Sequence, residues 1–86
     1  MSERRHEPVF GGFKEMAARR AELAAELTGR RQSLGLSQTQ VAARMGTSQS
    51  AVARIESGVN DVRLSTLERY AAAVGWHLDW RLRGPK

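Results

Sequence analysis

Residues Gln38–Ser57 read QTQVAARMGTSQSAVARIES, and the spacing of small and apolar positions inside this stretch decides the fold. With Gln38 as the first position, Ala42 is fifth, Gly46 ninth, Val52 fifteenth and Ile55 eighteenth, and Val41 and Met45 are also apolar. Each has a physical job. A small side chain at Ala42 lets two helices approach closely, and Gly46 permits a sharp turn between them. Val52 and Ile55 seat the second helix on a core. Ser37 and Gln40 have the S-x-x-Q form of a capping box, so the first helix starts there and ends near Met45. Ser48 is placed to cap the second, which runs through Ser57 and is closed by Gly58. Two short helices joined by a tight turn make a helix-turn-helix. Its second helix presents Gln49, Ser50 and Arg54 outward, where side chains reach base edges in a DNA major groove.

Upstream, Phe13, Met16, Ala17, Leu23, Ala24, Leu27 and Leu34 recur at three- and four-residue steps among charged residues, which predicts an amphipathic helix from Phe10 to a stop at Gly35. Gly29 is its weak point. An interior glycine costs about 1 kcal/mol relative to alanine, so Thr28-Gly29 is either tolerated in one long helix or divides it in two. Residues 1–9 are charged, contain Pro8 and lack periodicity, which predicts a flexible arm. Downstream, Ser65 and Glu68 repeat the capping-box form ahead of Leu64, Leu67, Tyr70, Ala71 and Val74, an apolar face that Gly75 terminates. Residues 10–75 thus form the DNA-binding domain.

After Gly75 the period changes to two. Trp76, Leu78, Trp80 and Leu82 alternate with His77, Asp79, Arg81 and Arg83, the pattern of a strand with one apolar face. A lone strand needs a ladder partner, and nothing else in the chain has a strand pattern. The expected partner is the same segment, residues 76–83, of a second copy, which makes those four apolar residues a dimer interface. A fifth helix or an ordered tail is the alternative; residues 84–86 are tail.

The chain has 86 residues, no Cys, and a net charge of +5. That is one small domain without disulfide staples, for which oligomerisation is the remaining support. Two His without Cys make no tetrahedral structural zinc site, so no metal or cofactor is expected. No apolar leader or span-length run is present, which leads to the expectation of a cytoplasmic protein. Of the fourteen basic residues, all but Lys14 and Lys86 are Arg, whose planar fork suits phosphates and guanine edges. Between Leu36 and Asn60 the only acid is Glu56. A helical hairpin that binds protein is the plainer alternative for this pair of helices.

The segment RQSLGLSQTQVAARMGTSQSAVARIESG resembles the Xre/λ-repressor-like class of helix-turn-helix regulators, and the resemblance continues through LSTLERYAAAVG. With the preceding helix from Phe13 and the following WHLDWRL, the whole chain is most similar to HigA-type antitoxins, DNA-binding proteins encoded beside a ribonuclease toxin of the RelE type. The resemblance implies a mainly α fold, a λ-repressor-like bundle of four to five helices, here with a C-terminal β-strand pairing across a homodimer. It also implies that Gln49, Ser50 and Arg54 read bases of an inverted-repeat operator and that Gln38 touches a phosphate. Thr47, Ser48, Ser57, Asn60 and Arg63 are further backbone candidates. Arg31 and Glu56 are implied to form a partly buried ion pair. Val59, Asp61 and Val62 depart from the Pro or Lys of many relatives, and Asp61 is assigned no contact because it would repel phosphate.

An enzyme is not indicated: there is no phosphate-binding Gly loop and no nucleophile elbow, and neither His6 nor His77 sits in a catalytic motif. The expected function is a repressor of its own operon that also neutralises a RelE-like toxin. The alternative is a stand-alone Xre-family regulator of the phage or restriction-control type that needs only DNA.

Overall fold

The computed structural model describes the backbone of residues 3–58 and 62–79, and the side chains of residues 16–58 and 62–79. Four helices follow in order: α1 (Glu3–Ser33), α2 (Gln38–Met45), α3 (Gln49–Ser57) and α4 (Leu64–Ala73). None of them is long and apolar enough to cross a membrane.

The long helix α1 passes through Gly29 without a break. Gly29 is exposed, and Thr28 Oγ1 donates to the Ala24 carbonyl at 2.8 Å, one turn back. Tertiary contacts on either side offset the glycine's weak propensity: Leu23, Ala24 and Leu27 are buried before it, and Arg30 and Arg31 are engaged after it. The helix is already formed at Glu3, ahead of Phe10, so it includes residues 3–9, which composition alone sets apart as an arm. Glu3, Arg4, Arg5 and Glu7 are adequate helix formers, and the lack of apolar periodicity hides that. Three expected members of its apolar face are solvent-exposed: Met16 at 54%, Leu34 at 43%, and Ala17. Leu34 lies past the last helical turn, where Leu36 N–H closes on the Arg31 carbonyl at 3.1 Å and the chain turns away.

Helix α2 begins as its sequence predicts. Ser37 Oγ accepts from Gln40 N–H at 3.0 Å while Gln40 Oε1 accepts from Ser37 N–H at 2.7 Å. It ends at Gly46, whose φ of 73° is the left-handed conformation that lets Thr47 N–H return to the Ala42 carbonyl at 2.9 Å. Ser48 then caps α3, accepting from Ala51 N–H at 3.2 Å. Helix α4 corrects its expected start. Its N-cap is Arg63, not Ser65, and no side chain caps it. The N–H groups of Thr66 and Leu67 both close on the Arg63 carbonyl, so the first turn is complete before Ser65 can act.

The core gathers Leu23 and Leu27 of α1, Val41, Ala42 and Met45 of α2, Val52 and Ile55 of α3, and Leu67, Tyr70 and Ala71 of α4, with Val74 just beyond. Ala42 is 2% exposed where α2 meets α3, the close approach that a small residue allows. Beyond Gly75, Trp76–Asp79 is neither strand nor helix among the described residues, so the strand that the period-two pattern predicts is not seen there. Leu78 packs against the core, His77 and Asp79 are exposed, and Arg30 stacks its guanidinium 5.2 Å from the Trp76 ring centroid. Trp80 and Leu82, the other two residues of the expected dimer interface, lie outside the described residues.

Leu27 is 1% exposed and Leu34 43%, so the two leucines of one periodic series have different energetic weight. Leu27→Ala is expected to lower the unfolding free energy by about 2–5 kcal/mol through the cavity it leaves. Leu34→Ala should stay within about 0.5 kcal/mol of the parent in the same urea titrations.

Candidate nucleic-acid interface

Helix α3 buries Val52 and Ile55 and turns Gln49, Ser50 and Arg54 to solvent, because one helical face is consumed by the core. The three expected base-reading residues therefore share an open surface. Ser50 Oγ lies 3.2 Å from Ser48 Oγ at the start of the helix. Thr47 is half-buried in the turn, and with Arg54, Arg63, Thr66 and Arg69 it lines an open groove between α3 and α4. Ser57 Oγ donates to the Arg54 carbonyl at 2.7 Å. Asn60 lies outside the described residues.

Behind this surface stands a buried carboxylate. Glu56 is only 7% exposed in its side chain and Arg31 12%. Arg31 Nε donates to Glu56 Oε2 at 2.7 Å and Nη2 to Oε1 at 3.0 Å, a two-point fork, while Nη1 donates to the Leu36 carbonyl at 2.8 Å. The Tyr70 hydroxyl donates to Glu56 Oε2, and Gln38 Nε2 donates to Oε1 at 2.9 Å. Gln38 in turn accepts, through Oε1, from Gln49 Nε2 at 2.6 Å. The chain of contacts therefore runs from the interior ion pair to the exposed start of α3. Burial acts to raise the Glu56 pKa, but hydrogen bonds from Arg31, Tyr70 and Gln38, with the Arg31 charge, together hold it below its ordinary value. Burial and then the bond to Glu56 push the Tyr70 phenol up, so it is a donor at any ordinary pH. Tyr70 is legible in sequence only as one apolar position of α4; nothing in its spacing signals that its hydroxyl has a partner on α3.

Most of the arginines near the motif are engaged elsewhere. Arg30 Nε donates to the Val74 carbonyl at 3.1 Å, Arg44 to the Ala73 carbonyl at 2.9 Å and Arg69 to the Met45 carbonyl at 3.0 Å. These are helix C-terminal carbonyls, which need outside donors. Arg19 pairs with Glu22 at 3.2 Å. Arg54 and Arg63 are exposed and, among the described residues, their side chains have no hydrogen-bond or ion-pair partner. Since Glu56 is enclosed and paired, no acid of α2 or α3 faces solvent beside Arg54. The described residues hold no cluster of three His, Asp or Glu for a metal.

Residues 29–81 match the family model described as helix-turn-helix. Among curated proteins, the chain is 43% identical over 77 residues to antitoxin HigA1 of Mycobacterium tuberculosis (strain ATCC 25618 / H37Rv), covering 90% of this chain and 49% of that protein. It is 47% identical over 62 residues to the putative antitoxin HigA3 of the same strain, covering 70% of this chain and 57% of that one. The chain thus spans about half the length of the curated relatives it matches. No solved structure matches it significantly.

Because the folded-state pKa of Glu56 is depressed, its contribution to stability is complete above its ordinary value of about 4.5 and is lost as pH falls through the folded value. Glu56→Gln is expected to cost about 3–5 kcal/mol at pH 7, since it strands a buried Arg31. Urea titrations at pH 7, 5 and 3 should show the gap between parent and variant constant from 7 to 5 and narrowing at 3. A gap that does not narrow would place the Glu56 charge outside the balance.

Proposed function

Because the chain belongs to the Xre-like helix-turn-helix family whose model spans its residues 29–81, we propose that it is a sequence-specific DNA-binding repressor, and specifically the antitoxin of a type II toxin–antitoxin pair. The observation that carries the first part is the outward face of α3. It presents an arginine, a glutamine and a serine with no competing exposed acid, on a helix whose inner face is locked to the core. Set in a major groove, Arg54 has the fork to pair with guanine O6 and N7, and Gln49 has the amide to pair with adenine. Thr47, Ser48, Ser57, Asn60 and Arg63 would flank them as phosphate contacts, and Gln38 would reach a phosphate from the start of α2.

The second part is supported by the names of the relatives, both antitoxins. In this reading the protein represses its own operon and neutralises a RelE-like toxin. A homodimer joined through Trp76, Leu78, Trp80 and Leu82 would set two copies of α3 about 34–36 Å apart, on successive major grooves of an inverted repeat. Trp76 supports this placement: it is 41% exposed, a large apolar surface at the end of the domain.

A footprint on the DNA upstream of its gene should reveal a two-fold protected site. Arg54→Ala is expected to lower affinity for that site by on the order of tenfold or more while leaving binding to unrelated DNA almost unchanged. Equal losses on both would remove Arg54 from base reading. Trp76→Asp, at the exposed member of this set, should yield monomers by sedimentation. Co-expression with an adjacent RelE-like reading frame should rescue growth; no such frame, or no rescue, leaves a stand-alone regulator.

A further inference from the structure

Arg30 and Arg31 are consecutive in the last turn of α1, and consecutive helical side chains leave the axis roughly 100° apart. The two guanidinium groups therefore serve different neighbours. Arg31 grips Glu56 of α3 through two bonds of 2.7 and 3.0 Å. Arg30 turns instead to the chain that leaves α4. Its Nε donates to the Val74 carbonyl at 3.1 Å, and its Cζ lies 5.2 Å from the centroid of the Trp76 ring. Between these two contacts Gly75, left-handed at φ 78°, passes so close that an added Cβ would stand 3.7 Å from Arg30 Nη2. One planar group thus spans three successive residues. From the other side, Trp76 N–H closes on the Ala71 carbonyl at 2.8 Å and Leu78 packs on the core. A lysine has no flat face to stack while a second nitrogen donates.

We infer that Arg30 determines which half-site spacing the protein accepts: by fixing the direction in which the chain leaves the domain at Gly75, it fixes the separation and rotation of two recognition helices in a dimer. The inference rests on the proposed dimer joined through the C-terminal segment. In that dimer the path out of each α3 runs from Glu56 to Arg31, along one step of α1 to Arg30, and out through Val74, Gly75 and Trp76. Gly75 is the joint on this path, since a glycine backbone rotates more freely than any other. One base pair inserted between half-sites moves the second about 3.4 Å along the duplex and roughly 35° around it. A free glycine joint follows that step, whereas a clamped one resists it. Arg30 is a positioning residue in this scheme and touches no DNA.

The test titrates full-length protein on duplexes that carry a single half-site, or an inverted repeat at the footprinted spacing and at one or two base pairs more or less. Sedimentation at the same concentrations reports the oligomeric state. The parent is expected to prefer the footprinted spacing over its neighbours by about tenfold or more. Arg30→Ala keeps the helix propensity of α1, and it should narrow that preference to about two- to threefold. Its half-site affinity, dimerisation and urea stability should stay near those of the parent. Arg30→Lys keeps the charge and should lose the preference in the same way, and it carries the test where Arg30→Ala does not fold. Full discrimination in Arg30→Lys would reduce the role of Arg30 to its charge and overturn the inference. So would an Arg30→Ala variant that weakens every duplex by one factor, the single half-site included, because Arg30 would then be a phosphate contact. A variant that is monomeric where the parent is dimeric would place Arg30 in the interface itself, and overturns it too. A dimeric parent indifferent to spacing overturns this inference alone; a monomeric parent overturns the proposed dimer and the inference with it.

Discussion

Everything in this small domain meets at one buried carboxylate. Glu56 belongs to α3, and its donors come from the other three helices: Arg31 from α1, Gln38 from α2 and Tyr70 from α4. A charge enclosed in this way is expensive to desolvate, and the expense is offset only when its lone pairs are all occupied with good geometry. That condition holds, and no buried side-chain polar atom among the described residues lacks a partner. The apolar core supplies the bulk of the stabilisation, but it is non-directional and tolerates sliding. Glu56 is directional, so it fixes how the four helices are set against one another and therefore where the exposed face of α3 stands.

The arginines divide between two tasks that net charge does not distinguish. Arg30, Arg44 and Arg69 each donate to a carbonyl at or just beyond a helix C-terminus, and Arg31 serves the buried pair. Short helices expose a large share of unsatisfied carbonyls, and arginine answers this with several donors on a long arm. Around α3, among the described residues, that leaves Arg54 and Arg63 with unengaged side chains. A basic chain thus offers fewer free guanidinium groups around α3 than its composition suggests.

The legible part of the fold was the part written in short-range signals. Ser37 with Gln40, Gly46, Ser48 and Gly58 each act on backbone groups a few residues away, so spacing alone locates them. Where tertiary contact competes with a local preference, spacing fails. Gly29 sits inside one continuous helix because buried and ion-paired neighbours hold both sides. Ser65 with Glu68 has the letters of a cap, but the turn closes earlier on Arg63. Met16 and Leu34 keep the period of an apolar face that the core does not reach at either end.

By itself, then, the sequence determined the helix-turn-helix: its two short helices, its turn, and which of α3's residues face away from the core. These follow from hydrogen bonds and periodicities closed within one or two turns of chain. Only the tertiary structure decided what stands behind that face. The partners of Glu56 lie 25, 18 and 14 residues away along the chain, and Tyr70 has no local feature that marks its hydroxyl as one of them. Whether the one acidic residue of α3 faces solvent or is enclosed depends on which donors surround it, and that is settled only when four helices pack.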